Sequence, residues 1–207
     1  MAEKFIRINV AFKPSLEIAE RVAKLSEEIS KKEVAYFIIN SKNIYPHITI
    51  YSPEYPTHNL EKILSNIEEL SKNLSTVKFM FKKVITSQGY IGIEFNYTEE
   101  IKTIHEAIVK KLNDFREDHV REKYADLYNM EFSDEKKQNI QRYGYPNSMS
   151  LYHPHLTIIR LKDEKIAKMV AEEIQWLDKE FMIDEIGAYE MGEHGTCIEL
   201  IKEFKLG

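Results

Sequence analysis

The chain has a single cysteine, Cys197, among 207 residues. One thiol makes no internal disulfide, and no Cys or His cluster flanks it to complete a zinc site. It is therefore expected to pack as a small apolar residue in a reducing compartment. Long apolar runs are also missing, since none approaches the roughly 18 residues a membrane span needs. The opening "MAEKFIRINV" has neither the long apolar centre nor the small-residue cleavage site of a secretory leader, and a cytoplasmic protein is the expectation. Nor is there an excess of positive charge: 29 Lys and Arg face 34 Asp and Glu, a formal net charge of −5. The two signs are mixed along the chain, which argues against coating long nucleic acid through many phosphate contacts. A small nucleotide or one RNA end needs only a few convergent donors and is not excluded. With 43% hydrophobic and 30% charged residues, the composition is that of an ordinary globular chain, sized for one domain or two small lobes on a shared core.

What is present is a repeated order of elements. In "KFIRINVAF", Ile6, Ile8, Val10 and Phe12 recur at period two, the pattern of a half-buried strand. A helix then opens after Pro14, with Leu16, Ile18, Val22, Leu25 and Ile29 as its stripe. "VAYFII" leads to a strand from Pro46 to Ser52, the turn-rich "SPEYPTHN", and a helix striped by Leu60, Ile63, Leu64, Ile67, Leu70 and Leu74. "TVKFMFKKVI" and "GYIGIEF" read as strands pairing through a turn at Ser87 to Gly89. The second half replays this order. A helix from about Glu99 carries Ile101, Ile104, Ile108, Leu112 and Phe115, and a strand runs from Pro154 to Leu161. A helix with Ile166, Val170, Ile174 and Leu177 comes next, and "FMIDEIGAYEM" and "TCIELIKEF" close the chain around "GEHG". Two copies, about 1–88 and 89–207, are expected in one bilobal domain spanning 1–207. The charged, tyrosine-rich segment at about 117–150 has no counterpart in the first copy and reads as an insertion, partly helical, either substrate-selecting or merely decorative.

Both copies carry a proline, a histidine, an aliphatic residue, a threonine and an isoleucine: "PHITI" at His47 and "PHLTI" at His155. On a strand, residues two apart share a face, so His47 shares one with Thr49 and His155 with Thr157. An imidazole titrating near neutrality can take a proton from water or give one to a leaving oxygen, and a threonine hydroxyl can donate to a phosphoryl oxygen. If the two strands face each other across a cleft, one histidine stands on each side of a substrate, as in-line displacement at phosphorus requires. No metal or cofactor is needed for this. His153 shares the face of His155, but the His-Pro-His spacing lacks a third ligand in register for a metal. His58 and His194 fall in turns and His105 and His119 in charged, helix-like surroundings; all four are expected at the surface.

Two such motifs about a hundred residues apart resemble the two-histidine phosphoesterase superfamily. "PHLTIIR" is especially similar to the second motif of its LigT-like group of 2′-5′ RNA ligases and RNA 2′,3′-cyclic phosphodiesterases. The resemblance implies an α+β fold of two pseudo-symmetric lobes, each an antiparallel-rich sheet with flanking helices, around a central cleft. It implies His47 and His155 as the acid/base pair, and Thr49 and Thr157 as ligands of phosphate oxygens. It also offers Arg160 as a binder of phosphate, although Arg160 lies five positions from His155 and points to the opposite face of a straight strand. Tyr143, Tyr145 and Tyr152 could stack on a base. The implied activity is metal-independent hydrolysis or reversible formation of 2′,3′-cyclic phosphates or 2′-5′ phosphodiesters at RNA ends or in small cyclic nucleotides. The expected partner is a nucleotide or RNA terminus, with no membrane involved, and the chain is expected to be a monomer. Two alternatives stay open: a nucleotide- or RNA-binding module without turnover, and a phosphoesterase for a non-RNA cyclic phosphate such as an ADP-ribose derivative.

Overall fold

The computed structural model describes residues 4–207, so the first three residues of the opening stretch lie outside it. In the first copy β1 (Phe5–Phe12) is followed by α1 (Leu16–Ser30), β2 (Ala35–Ile38), β3 (Ile48–Tyr51), β4 (Glu54–Pro56), α2 (Leu60–Ser71) and β5 (Val77–Ser87). The second continues with β6 (Tyr90–Phe95), α3 (Glu99–Leu112), α4 (Asp134–Tyr143), β7 (His155–Leu161), α5 (Glu164–Glu173), β8 (Glu180–Ile183), β9 (Glu185–Met191) and β10 (Cys197–Lys205). Local chemistry marks the boundaries. The side chains of Ser15, Thr98, Ser133 and Asp163 accept from backbone N–H groups of the first turns of α1, α3, α4 and α5. The β5–β6 hairpin turns on Gln88 and Gly89, both at positive φ (51° and 81°), the two-residue geometry that matches the strands' twist.

The strands form one sheet in the order β10-β9-β1-β3-β7-β6-β5-β8, with β2 beside β7 and β4 beside β1. The named pairings are antiparallel. The order is symmetric about the β3–β7 seam. On one side β3 is followed by its own copy's first strand, β1, and then by β9 from the other copy. On the other side β7 is followed by β6 and then by β5 from the first copy. The fold is α+β, two pseudo-symmetric lobes whose sheets exchange their third strands. Helices α2 and α3 pack beneath the β3 lobe, α1 and α5 beneath the β7 lobe. This leaves the opposite face of the sheet for a cleft. The apolar side holds a core of fully buried Ile8, Val10, Phe12, Ile48, Ile50, Ile91, Ile93, Leu156 and Ile158.

Four expectations are corrected. β1 is not half-buried: Asn9 and Ala11, alternating with the predicted apolar residues, are fully buried as well. "FMIDEIGAYEM" is two strands, because the chain leaves β5 after Ile183 and joins β1 from Glu185. Leu16 and Leu177, placed in helix stripes, are exposed, one at the first turn of α1 and the other past the end of α5. His105 is not at the surface. It is fully buried on α3, where Nδ1–H donates to the Ile50 carbonyl (2.8 Å), Nε2 accepts from the Met149 N–H (2.8 Å), and the ring stacks on Tyr152.

Burial pushes the His105 imidazole down to about 4. The unfolded chain protonates it near 6.5, so the folded state binds fewer protons between these values and stability rises with pH there. Stability is expected to be complete above about pH 6.5 and to fall by about 3 kcal/mol as pH drops toward 4, on this group alone. Urea unfolding across that range checks this, and a flat profile contradicts it.

The segment at 117–150 is partly helical, carrying α4. Tyr124, Leu127 and Ile140 form a small apolar cluster of their own. Its fixed point is Arg116, fully buried, whose guanidinium donates to Asn113 Oδ1 and to the carbonyls of His119, Gln141 and Arg142. The segment thus closes on one side chain, and α4 ends at Gly144 in the left-handed region.

Candidate active site

The two motif strands do not face each other across a gap. They are neighbours in the sheet, joined by the antiparallel pair Ile48 and Leu156 at the seam. Continuing that register by one residue sets His47 opposite Thr157 and Thr49 opposite His155. Each histidine thus stands diagonally from the other, with a threonine beside it and another across from it. All four side chains line one cavity of about 290 Å³ over the sheet.

The repeated Pro-His explains how the rings are held. A residue before proline is kept extended, which leaves its carbonyl where the imidazole two residues on can reach it. His47 Nδ1–H donates to the Tyr45 carbonyl (2.9 Å) and His155 Nδ1–H to the His153 carbonyl (3.0 Å). Both rings therefore carry their proton on Nδ1 and offer an unprotonated Nε2. Burial first, then the neighbouring His155, lowers His47 to about 4; burial first, then His153, lowers His155. Both are neutral bases at pH 7 until an anion enters and raises them. Thr49 Oγ1 accepts from Asn9 Nδ2 (3.0 Å), so its own hydrogen is free to donate elsewhere.

Each motif strand also carries a bulge. Gly92 pairs with Thr157 and Ile91 with Ile159, so Ile158 is the extra residue; on the other side, Ala11 pairs with Thr49 and Val10 with Tyr51, so Ile50 is extra. A small residue opposes each threonine, and a Cβ on Gly92 would lie 2.8 Å from the Leu156 oxygen. Each bulge reverses the alternation of faces for the rest of its strand. Arg160 therefore shares the face of His155, contrary to the straight-strand expectation, and Ser52 takes the corresponding place after His47.

Arg160 stands beside the cavity rather than on its wall. Its guanidinium lies over the rings of Tyr36 (4.7 Å) and Tyr90 (4.5 Å), its Nε–H donates to the Gln88 carbonyl, and one terminal nitrogen donates to His194 Nδ1 (2.8 Å). His194, expected at the surface, lies instead on the cavity wall, in the β9–β10 turn; its carbonyl accepts from the Tyr90 hydroxyl (2.9 Å). That turn reaches from one lobe to the other. His119 is tucked in as well, with Nε2 2.7 Å from a Glu54 oxygen and its ring stacked on Phe5. His153 lines the cavity beside His155, their rings stacked at 4.9 Å.

Of the three tyrosines, Tyr145 lines the cavity. Tyr152 is buried against His105 and its hydroxyl donates to the Thr49 carbonyl (2.9 Å), so it supports β3 and offers no face to a ligand. Tyr143 is off the cavity too, with its carbonyl accepting from the Tyr51 hydroxyl and its ring beside Arg142. Sequence reading missed Arg7 and Ser52, which also line the cavity, and whose Nε and Oγ are buried without a protein partner. Arg7 alternates with the core residues of β1 and so reads as a solvent position, and nothing in the sequence marks Ser52. Cys197 is buried, accepts from Asn9 Nδ2 (3.3 Å), and has its thiol pushed up to about 12 by burial.

The sequence model of the 2′-5′ RNA ligase superfamily matches residues 14–195. The chain belongs to that superfamily. No curated protein matches it in sequence. Among solved structures, E. coli LigT in apo form is similar at TM-score 0.56 and 12% identity, over 99% of both chains. A protein of Thermus thermophilus is similar at TM-score 0.57 and 12% identity, over 97% of this chain and 98% of that one. E. coli LigT complexed with 3′-AMP aligns at TM-score 0.53 and 10% identity, over 98% and 99%. At these identities the likeness is one of fold, and it covers the LigT-like fold from end to end. No helix among the described residues of this 2′-5′ RNA ligase superfamily member is long and apolar enough to cross a membrane.

Proposed function

We propose that the cleft performs metal-independent phosphoester chemistry on 2′,3′-cyclic phosphates or 2′-5′ phosphodiesters, at an RNA terminus or in a small cyclic nucleotide. The observation that carries this is the matched pair of imidazoles, each tied at Nδ1 to a backbone carbonyl and each free at Nε2, with a threonine hydroxyl beside it. In hydrolysis one histidine takes a proton from water as its oxygen bonds to phosphorus. The other, protonated once the phosphate's negative charge has raised its pKa, gives its proton to the ribose oxygen that departs. The sum is water added across one P–O bond. With a 5′-hydroxyl in place of water the same steps join two ends: its oxygen bonds to phosphorus, the ribose 3′-oxygen departs with the proton from the second histidine, and a 2′-5′ linkage remains. Thr49 and Thr157 donate to the non-bridging oxygens, and Arg160, freed from His194, stabilises charge on the phosphorane. E. coli LigT has been solved in complex with phosphate and with 3′-AMP, which supports a nucleotide phosphate as the ligand here.

The test is incubation of the protein with nucleoside 2′,3′-cyclic phosphates in excess EDTA. Steady conversion to the ring-opened monoester is expected. Turnover abolished by EDTA overturns the metal-free mechanism, and tight nucleotide binding without turnover establishes the binding-module alternative.

A further inference from the structure

The cavity has a cation that the two-histidine chemistry leaves unused. Arg7 stands on β1 two residues before Asn9, the residue that holds Thr49, and so about 7 Å away along the strand. It lines the cavity, yet among the described residues it makes no ion pair or hydrogen bond, and its Nε is buried without a partner. Opposite it in register is Glu54, whose carboxylate is already taken by His119 (2.7 Å) and Arg121 (4.0 Å). Arg121 and Lys123 come from the insertion, and Lys123 lies over the ring of Tyr124 (4.6 Å). Arg7 and Arg121 thus flank one carboxylate that is already engaged, with Lys123 two residues beyond Arg121. The three lie within electrostatic reach of one another: burial and then Arg121 depress Arg7, and burial, then Arg121 and Arg7, push Lys123 down to about 8. Such a cluster is stabilised by an incoming anion. Tyr145, also on the wall, leads from the insertion into the same cavity.

We infer that Arg7, Arg121 and Lys123 form a second anion subsite, next to the histidine pair, for a further phosphate carried on the same ligand. This rests on the phosphoester reading and narrows its substrate class to cyclic phosphates bearing a second phosphate group. The insertion is then a specificity element, because it supplies two of the three cations.

The test uses the whole chain and equilibrium binding, so it does not depend on turnover. Calorimetry compares adenosine 3′-monophosphate with adenosine 3′,5′-bisphosphate, and with a dinucleotide carrying a 3′-phosphate, which separates a terminal phosphate from a chain phosphodiester. Wild type is expected to bind at least one of the two doubly phosphorylated ligands about tenfold more tightly than the monophosphate. In the double variant Arg121→Gln, Lys123→Gln that ratio is expected to fall to about one, and in Lys123→Glu to drop below wild type. Wild type that shows no preference for either ligand, or a preference that survives the double substitution, overturns the subsite. Absence of cyclic-phosphate turnover with the preference intact overturns the phosphoester reading alone.

Discussion

Alanine in place of His47 or of His155 is expected to cut turnover of 2′,3′-cyclic nucleotides by about 10³-fold or more, each substitution alone. The reason is positional as well as chemical. Each ring is fixed by its own Pro-His geometry, and the diagonal arrangement leaves no second imidazole within the seam to take over either role. The double substitution is expected to cost little more than the worse single one, since base and acid act in the same step. His153 is the neighbour whose ring stacks on His155 and could blur this result. Its own Nδ1 is directed to the Leu151 carbonyl (3.2 Å), and His153→Ala is therefore the control that should retain most activity. Initial rates at saturating substrate decide the matter, with circular dichroism confirming the fold. Activity within tenfold of wild type in either alanine variant removes that histidine from the mechanism.

Arg116→Met is expected to destabilise the protein by about 4 kcal/mol, the largest single loss at a site away from the cavity. A methionine fills the same space but leaves the carbonyls of His119, Gln141 and Arg142 without this donor, and Asn113 Oδ1 with only the Tyr51 hydroxyl (3.1 Å). No carboxylate neutralises Arg116 through any of these bonds; four neutral oxygens satisfy it. Lysine should recover only part of the loss, because one ammonium cannot reproduce the planar fork. Gly144 adds to the constraint, since a Cβ there would lie 2.6 Å from Arg116 Cδ. Urea unfolding measures the change, and a loss below about 1 kcal/mol contradicts the anchoring role. Limited proteolysis should cut the Met variant first between Glu117 and Tyr143.

The histidine and threonine positions were legible because they depend on nothing longer than the two-residue period of a strand. The face of Arg160 could not be read because that period breaks at Ile158, and nothing in "HLTIIR" marks the bulge; the mark is Gly92, on a different strand. The floor of the cleft on β1 was hidden for a related reason. Alternation told which residues face the core, but not that a ligand site covers the other face, so Arg7 and Asn9 looked like solvent positions. His105 was recoverable, since 101, 104, 105, 108 and 112 form one helical stripe and only its polarity argued against burial. The division of "FMIDEIGAYEM" was not, because it depends on which lobe each half joins.

The exchange of strands between lobes also sets an order of events during synthesis. β1 is made well before its partner β9, with Ile8 opposite Glu190. The β5–β6 hairpin, closed by a two-residue turn, can form at once, and β7 can join it before β9 and β10 are made. The lobe built on β7 is thus poised to mature first, and the one built on β3 completes only when β9 arrives. His155 is in place before His47 is, and the cleft exists only once the final hairpin has docked.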